Sequence, residues 1–309
     1  MKKIFLGALL VYLAGALLLQ LPGCYREKAQ AKAVIGVTLL TRGHAFYRDL
    51  EEGLTEAAAS HHFKLNISAA EWDLAKQVAQ IEDFIIQKVN AIVVCPTDTR
   101  GIVAAIEQAN TKGIPVFTAD IAAAGGSVVS HIASDNIAGG REAAKYMVQR
   151  LGSKGKIAII DQPAVQSVID RVKGFEDYLA KFPEIETVAK LNGEGVRDKA
   201  MKVMEDILQS HPEVNAVFGI NDDSALGALS AIEAAGGKDI FIVGYDATPE
   251  GRQAILRGSA LKADIIQYPK IIGQTTINTI ADYLVGKEVP KLIPIKVGIV
   301  DQVSLQAAK

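Results

Sequence analysis

An α/β fold of two similar lobes, each wrapped around a parallel sheet, is what this chain of 309 residues predicts. Short runs rich in Val and Ile alternate with longer amphipathic stretches from Val34 onward, the rhythm of βαβ units. That rhythm restarts after residue 134, which yields more strands than one open sheet comfortably holds. The length suits about two domains, and 49% hydrophobic against 22% charged residues can bury a sizeable core.

In the first half, strands are expected at 34–40, 63–69, 91–95 and 115–119, with helices at 46–60, 74–88 and 99–112 between them. Each break carries a turn signal, such as Lys112-Gly113-Ile114-Pro115. The run 128–134 falls where a linker between two sheets is expected. The second half reads as a helix at 136–151, a strand at 156–160, a helix at 167–181 and a strand at 185–190. Further units follow at 197–210, 216–220, 222–235, 240–244 and 261–266. The two halves share a βαβ rhythm that suggests an old duplication.

The start of the chain is a different kind of segment. Met1-Lys2-Lys3 is cationic, residues 4–21 are almost wholly apolar, and Leu21-Pro22-Gly23-Cys24 ends the run, the pattern of a secretory signal. It resembles a bacterial lipoprotein signal, which implies cleavage of residues 1–23 and a lipid on Cys24. An uncleaved membrane helix and a plain cut after Ala31 are the alternatives. Residues 24–33 have no apolar period and suit a short tether. The expected product is exported, lipid-anchored and mildly acidic.

Charge and motifs exclude several classes. Lys plus Arg total 33 against 35 Asp plus Glu, so nothing tracks a phosphate backbone and no nucleic-acid partner is expected. Two cysteines, Cys24 and Cys95, are too few for a disulfide scaffold or a paired zinc site. No Gly-x-Gly-x-x-Gly, Walker loop, Gly-x-Ser-x-Gly or His-Glu-x-x-His occurs, so no cofactor and no metal is expected. His61-His62 lacks a third ligand and is expected to face solvent, and Cys95 reads as a small buried hydrophobe.

In open parallel sheets ligands sit beyond the carboxyl ends of the strands. The corresponding junctions are 40–47, 70–74, 95–99, 120–121, 161–167, 221–223 and 245–248, where polar and aromatic residues concentrate. Asp223 is expected to cap the helix that follows it, whereas Asp120 and Asp246 have no obvious local duty. Carboxylates and an amide flanked by aromatic rings suit a neutral polyhydroxylated ligand, because each carboxylate accepts from adjacent hydroxyls.

Several strings in order then carry a family resemblance: Pro96-Thr97-Asp98, Gly113-Ile114-Pro115-Val116, residues 128–136, Gly174-Phe175, Asn221-Asp222 and Val243-Gly244-Tyr245-Asp246. Over residues 34–302 the chain resembles the type I periplasmic sugar-binding proteins of ABC importers, most closely the ribose-binding branch. The resemblance implies two Rossmann-like lobes with parallel sheets joined by a three-crossover hinge. The lobes are expected at 34–134 plus 268–296 and at 135–267 plus 297–305. Ligand contacts are implied at Phe46, Tyr47, Asp120, Asn221, Asp246 and Gln267. His44 stands where this branch tends to place an asparagine, and Cys95 replaces another amide. Ile121 and Ile169 replace two arginines, and Gly195 an aromatic residue, which puts ribose itself in question. Trp72 is a further candidate contact, either at the cleft or packed on the lobe surface.

The expected function is a receptor, not an enzyme, that captures a small sugar or polyol and delivers it to an inner-membrane permease as a monomer. A sensor presenting ligand to a chemoreceptor or receptor kinase is the alternative. An enzyme reusing the cleft lacks a supported catalytic pair, and a transcriptional regulator lacks a DNA-binding headpiece.

Overall fold

The computed structural model describes residues 33–237 and 239–307, so the expected signal, tether and lipidated Cys24 lie outside the described residues. The first half folds as β1 (Val34–Leu39), α1 (Ala45–Ser60), β2 (Lys64–Ala69), α2 (Leu74–Ile86), β3 (Ala91–Val94), α3 (Val103–Thr111), β4 (Val116–Ala119) and β5 (Val128–Ser134). The second continues with α4 (Asn136–Leu151), β6 (Gly155–Asp161), α5 (Gln166–Leu179), β7 (Ile185–Asn192), α6 (Arg197–Ser210), β8 (Ala216–Gly219), α7 (Asp222–Ala234), β9 (Phe241–Asp246), α8 (Pro249–Leu256) and β10 (Leu261–Ile266). The chain ends with α9 (Pro269–Leu284), β11 (Leu292–Ile295), β12 (Gly298–Asp301) and α10 (Gln302–Ala307).

The strands form two six-stranded sheets, ordered β11-β5-β4-β3-β1-β2 and β12-β10-β9-β8-β6-β7. All pairings are parallel except β12, which runs antiparallel along β10 at one edge. The α/β class read from sequence is therefore the one observed. Inner strands such as β3 and β8 are buried throughout because helices cover both faces, which is why they read as unbroken apolar runs.

Residues 128–134 are not a linker. They form β5, which pairs with β4 on one side and with β11 on the other. The partner strand comes from residues 292–295, too distant in sequence to signal the pairing. The chain passes between the sheets three times: after β5, between β10 and α9, and between β11 and β12. In the second lobe α4 and α5 cross closely, because a Cβ at Gly140 would strike the Arg171 carbonyl and one at Gly174 the Ile137 carbonyl. That close crossing seats Arg171 on the inner side of α5, where it is only 5% exposed.

Candidate functional site

Loops leaving the strand ends of both sheets line one cavity with about 410 Å³ free of protein atoms, the solvent at its mouth included. The first lobe contributes His44, Phe46, Tyr47, Trp72 and Asp120 from the residues singled out in the sequence. The second contributes Asn221 and Asp246, and Gln267 joins them from the crossover after β10. Cys95 is fully buried in the core and absent from this wall, and Ile169 is 39% exposed outside it.

The strand ends hold these groups in unusual backbone conformations. Asp120 has φ 65°, Asp246 has φ 109° and Trp72 has φ 66°, a region that side-chain-bearing residues occupy at a cost of order 1–3 kcal/mol. The turn at Asp120 is secured by its N–H donating to the Ile132 carbonyl at 2.9 Å. Behind Asp246, the turn is tied down by two buried acids. Asp222 Oδ2 accepts from the Thr248 N–H at 2.6 Å, and Asp264 Oδ1 accepts from the Ala247 N–H at 3.2 Å. Burial raises both of these carboxyls, Asp264 well above the carboxylate range, and the neighbouring Asp222 adds to that rise.

Most polar groups on the wall are already committed to one another. Tyr47 donates its hydroxyl to Asp120 Oδ2 at 2.6 Å, and Gln267 Nε2 donates to Asp246 Oδ1 at 2.5 Å. His44 caps α1: its Nδ1 accepts from the Phe46 N–H at 3.1 Å, which leaves the proton on Nε2. Nε2 then lies 3.3 Å from Asp246 Oδ2 and 3.8 Å from Asp223 Oδ2, across the boundary between the lobes. Two buried acceptors on the wall have no donor among the described residues, Asp120 Oδ1 and Gln267 Oε1. Burial lifts the Asp120 carboxyl from 3.8 to about 6, with the Arg171 charge and the Tyr47 hydroxyl pulling it back down.

The helix cap expected at Asp223 falls on Asn221 instead. Asn221 has extended φ and ψ of −150° and 172°, and its Oδ1 accepts from the Ser224 N–H at 2.8 Å. Its Nδ2 donates to the Gly195 carbonyl at 3.0 Å. Asp223 is already inside the helix and faces Arg197, 3.2 Å away. Trp72 lines the cavity and is also 38% exposed.

A model of the periplasmic binding protein domain matches residues 35–288. The ribose import binding protein of Bacillus subtilis is 36% identical over 260 residues, covering 84% of each chain. The xylitol-binding protein of Mycolicibacterium smegmatis is 32% identical over 250 residues, covering 79% of this chain and 71% of its own. Among solved structures, an ABC transporter solute binding protein from Bacillus halodurans with bound myo-inositol is 29% identical with a TM-score of 0.83, covering 90% of this chain and 97% of that one. The chain belongs to the periplasmic binding protein family.

Within this periplasmic binding protein the structure adds wall residues that sequence reasoning missed. Arg171 donates from Nε to Asn136 Oδ1 at 2.8 Å and from Nη1 to the Ile220 carbonyl at 2.9 Å. Its guanidinium lies 3.9 Å from the Tyr245 ring centroid, and Nη1 sits 3.9 Å from Asp246 Oδ1. The available signal was one arginine in the apolar stripe Val168, Val172, Phe175, since a charge on a buried helix face requires partners. Gln162 and Val165 come from the junction 161–167, which was singled out without naming them. A side chain at Gly195 would run into the Gln162 amide, so Gln162 fills the space an aromatic residue there would need.

Thr99 joins the two lobes beside the cavity. Its N–H donates to the Ala164 carbonyl at 3.1 Å, its Oγ1 accepts from the Gln166 N–H at 2.9 Å, and the same hydroxyl donates to the Ala122 carbonyl at 3.0 Å.

Proposed function

We propose that the chain is the solute receptor of an ABC importer: it binds a small neutral sugar or polyol in the cavity, performs no chemistry on it, and hands it to an inner-membrane permease. The observation that carries this reading is the pair of buried acceptors without donors, Asp120 Oδ1 and Gln267 Oε1. A buried acceptor left unpaired costs about 1–3 kcal/mol, and a hydroxyl-rich ligand supplies the missing donors. The bound molecules in the relatives' names, ribose, xylitol and myo-inositol, are of this kind and support the same class.

The lobes, residues 34–134 plus 268–296 and 135–267 plus 297–305, act as two bodies that close on ligand. Ligand held by Asp120 gains further bonds from Asp246, Asn221 and Gln267 only when the lobes meet, so binding shifts the equilibrium toward the closed state. Moving that equilibrium from 1:99 to 99:1 takes roughly 5.5 kcal/mol of differential affinity. A few hydrogen bonds to charged groups at about 1.5–3 kcal/mol each supply it. Phe46 and Trp72 cover the carbon face of the ring. The mature protein is an exported monomer anchored by a lipid on Cys24, and loss of fatty-acid labelling in Cys24→Ser tests the anchor.

A thermal-shift screen over pentoses, hexoses, deoxy sugars and polyols tests the function. A ligand at 100 times its dissociation constant adds about 2.7 kcal/mol of apparent stability. If no compound of these classes raises the melting temperature, the reading is wrong.

A further inference from the structure

The cavity is lined in part by aliphatic side chains. Ile121, Val165 and Val168 line it, each no more than 3% exposed, and they pack in one cluster with Leu40. Thr99 brings this wall together across the lobe boundary, because it bonds Ala122, next to Ile121, and both Ala164 and Gln166, which flank Val165. In doing so it spends its own polar groups: the N–H is given to Ala164, and the hydroxyl both donates and accepts. Ser167 is the hydroxyl that the first turn of α5 adds to the lining. The unpaired acceptors Asp120 Oδ1 and Gln267 Oε1 belong to the polar residues of the site.

From this division we infer that the ligand is amphipathic: a polyhydroxylated molecule that presents a methyl or deoxy carbon to the wall of Ile121, Val165 and Val168, as a terminally deoxygenated sugar does. The inference rests on the reading of the cavity as a polyol site. A hydroxyl placed on that carbon loses its water and meets three aliphatic side chains, whereas a methyl gains dispersion contacts. Apolar pockets discriminate against an added hydroxyl by about a hundredfold at most, so a tenfold to hundredfold preference is the expected scale.

The test is calorimetric titration of matched pairs on the intact soluble protein: 6-deoxyhexoses against their parent hexoses, and 5-deoxyribose against ribose. Among the pairs that bind, the deoxy member is expected to bind at least tenfold more tightly. Parents that bind equally or more tightly overturn the inference and leave the polyol site standing. If neither member of any pair binds at millimolar concentration, the inference falls, and the wider screen of sugars and polyols decides the underlying reading.

Two variants of similar shape sharpen the result. Ile121→Val shortens the wall and keeps it apolar, and Ile121→Thr has the same size with a hydroxyl in place of a methyl. Relative to Ile121→Val, Ile121→Thr is expected to shift the deoxy-to-parent ratio at least fivefold toward the parent, with both variants melting cooperatively. An unchanged ratio between them overturns the assignment of this wall.

Discussion

Replacing Asp120 by asparagine separates what this carboxylate does for the fold from what it does for ligand. Its carboxyl titrates at about 6 instead of 3.8, chiefly because it is buried, so the folded protein disfavours the ion. A shift of about two units at roughly 1.4 kcal/mol each makes ionised Asp120 cost about 3 kcal/mol of stability at neutral pH. The sign follows from the raised folded value: the neutral acid is favoured by folding, and that stability is lost as pH rises from about 4 through 6. Asp120→Asn keeps an oxygen for the Tyr47 hydroxyl and removes the charge, so the unliganded variant should be more stable at pH 7 by about 3 kcal/mol. The advantage should shrink below about pH 6 and nearly vanish by about pH 4. Denaturant melts of both proteins across this range, without ligand, measure the difference curve. The same variant should bind ligand about 30-fold to 1000-fold more weakly, equivalent to roughly 2–4 kcal/mol. A variant less stable than the parent at pH 7, or a gap that does not close on acidification, refutes the reasoning.

Asn221→Ala should cost about 1 kcal/mol of stability by uncapping α7, whereas Asp223→Ala, which loses a half-exposed pair with Arg197 and a longer contact with His44, should stay within about 0.5 kcal/mol in thermal melts. Equal losses would contradict the cap assignment. Arg171→Met strands the acceptor Ile220 O, leaves Asn136 Oδ1 with only the Tyr245 hydroxyl and leaves Asp246 without its cation, so unfolding should become easier by about 3–5 kcal/mol. Arg171→Lys should recover only part of this, since an ammonium cannot reproduce the planar fork and stack; a Met variant as stable as the parent would refute that role. Thr99→Val removes the hydroxyl bridge between the lobes and keeps the N–H bond to Ala164. Its affinity for ligand should fall roughly tenfold, about 1.4 kcal/mol, and small-angle scattering without ligand should give a radius of gyration no smaller than the parent's. Unchanged affinity would mean that the bridge does not favour closure.

Much of the site was legible because α/β sheets place function at strand ends. A residue such as Asp246, after Val243-Gly244-Tyr245, is marked by position and type together, and so are Asp120 and Asn221. Local periodicity likewise identified the strands and helices up to β10 apart from β5 and α8, since buried parallel strands and amphipathic helices leave distinct patterns within a few residues. Asn221-Asp222-Asp223 marks its limit: all three types can cap, and the cap is decided by which backbone is extended at the turn.

What composition and order determined by themselves was the two-sheet α/β class and the junctions where a ligand site could form. Tertiary structure alone decided the pairing of β5 with β11, the burial of Arg171 between Asn136 and Tyr245, and the apolar wall joined by Thr99. Each of these depends on partners tens to more than a hundred residues away, and no local pattern records which distant side chain will fill a given space. The unpaired acceptors Asp120 Oδ1 and Gln267 Oε1 are of the same kind. Whether a buried oxygen has a donor is a property of the assembled cavity, because it depends on every neighbour the fold brings within reach.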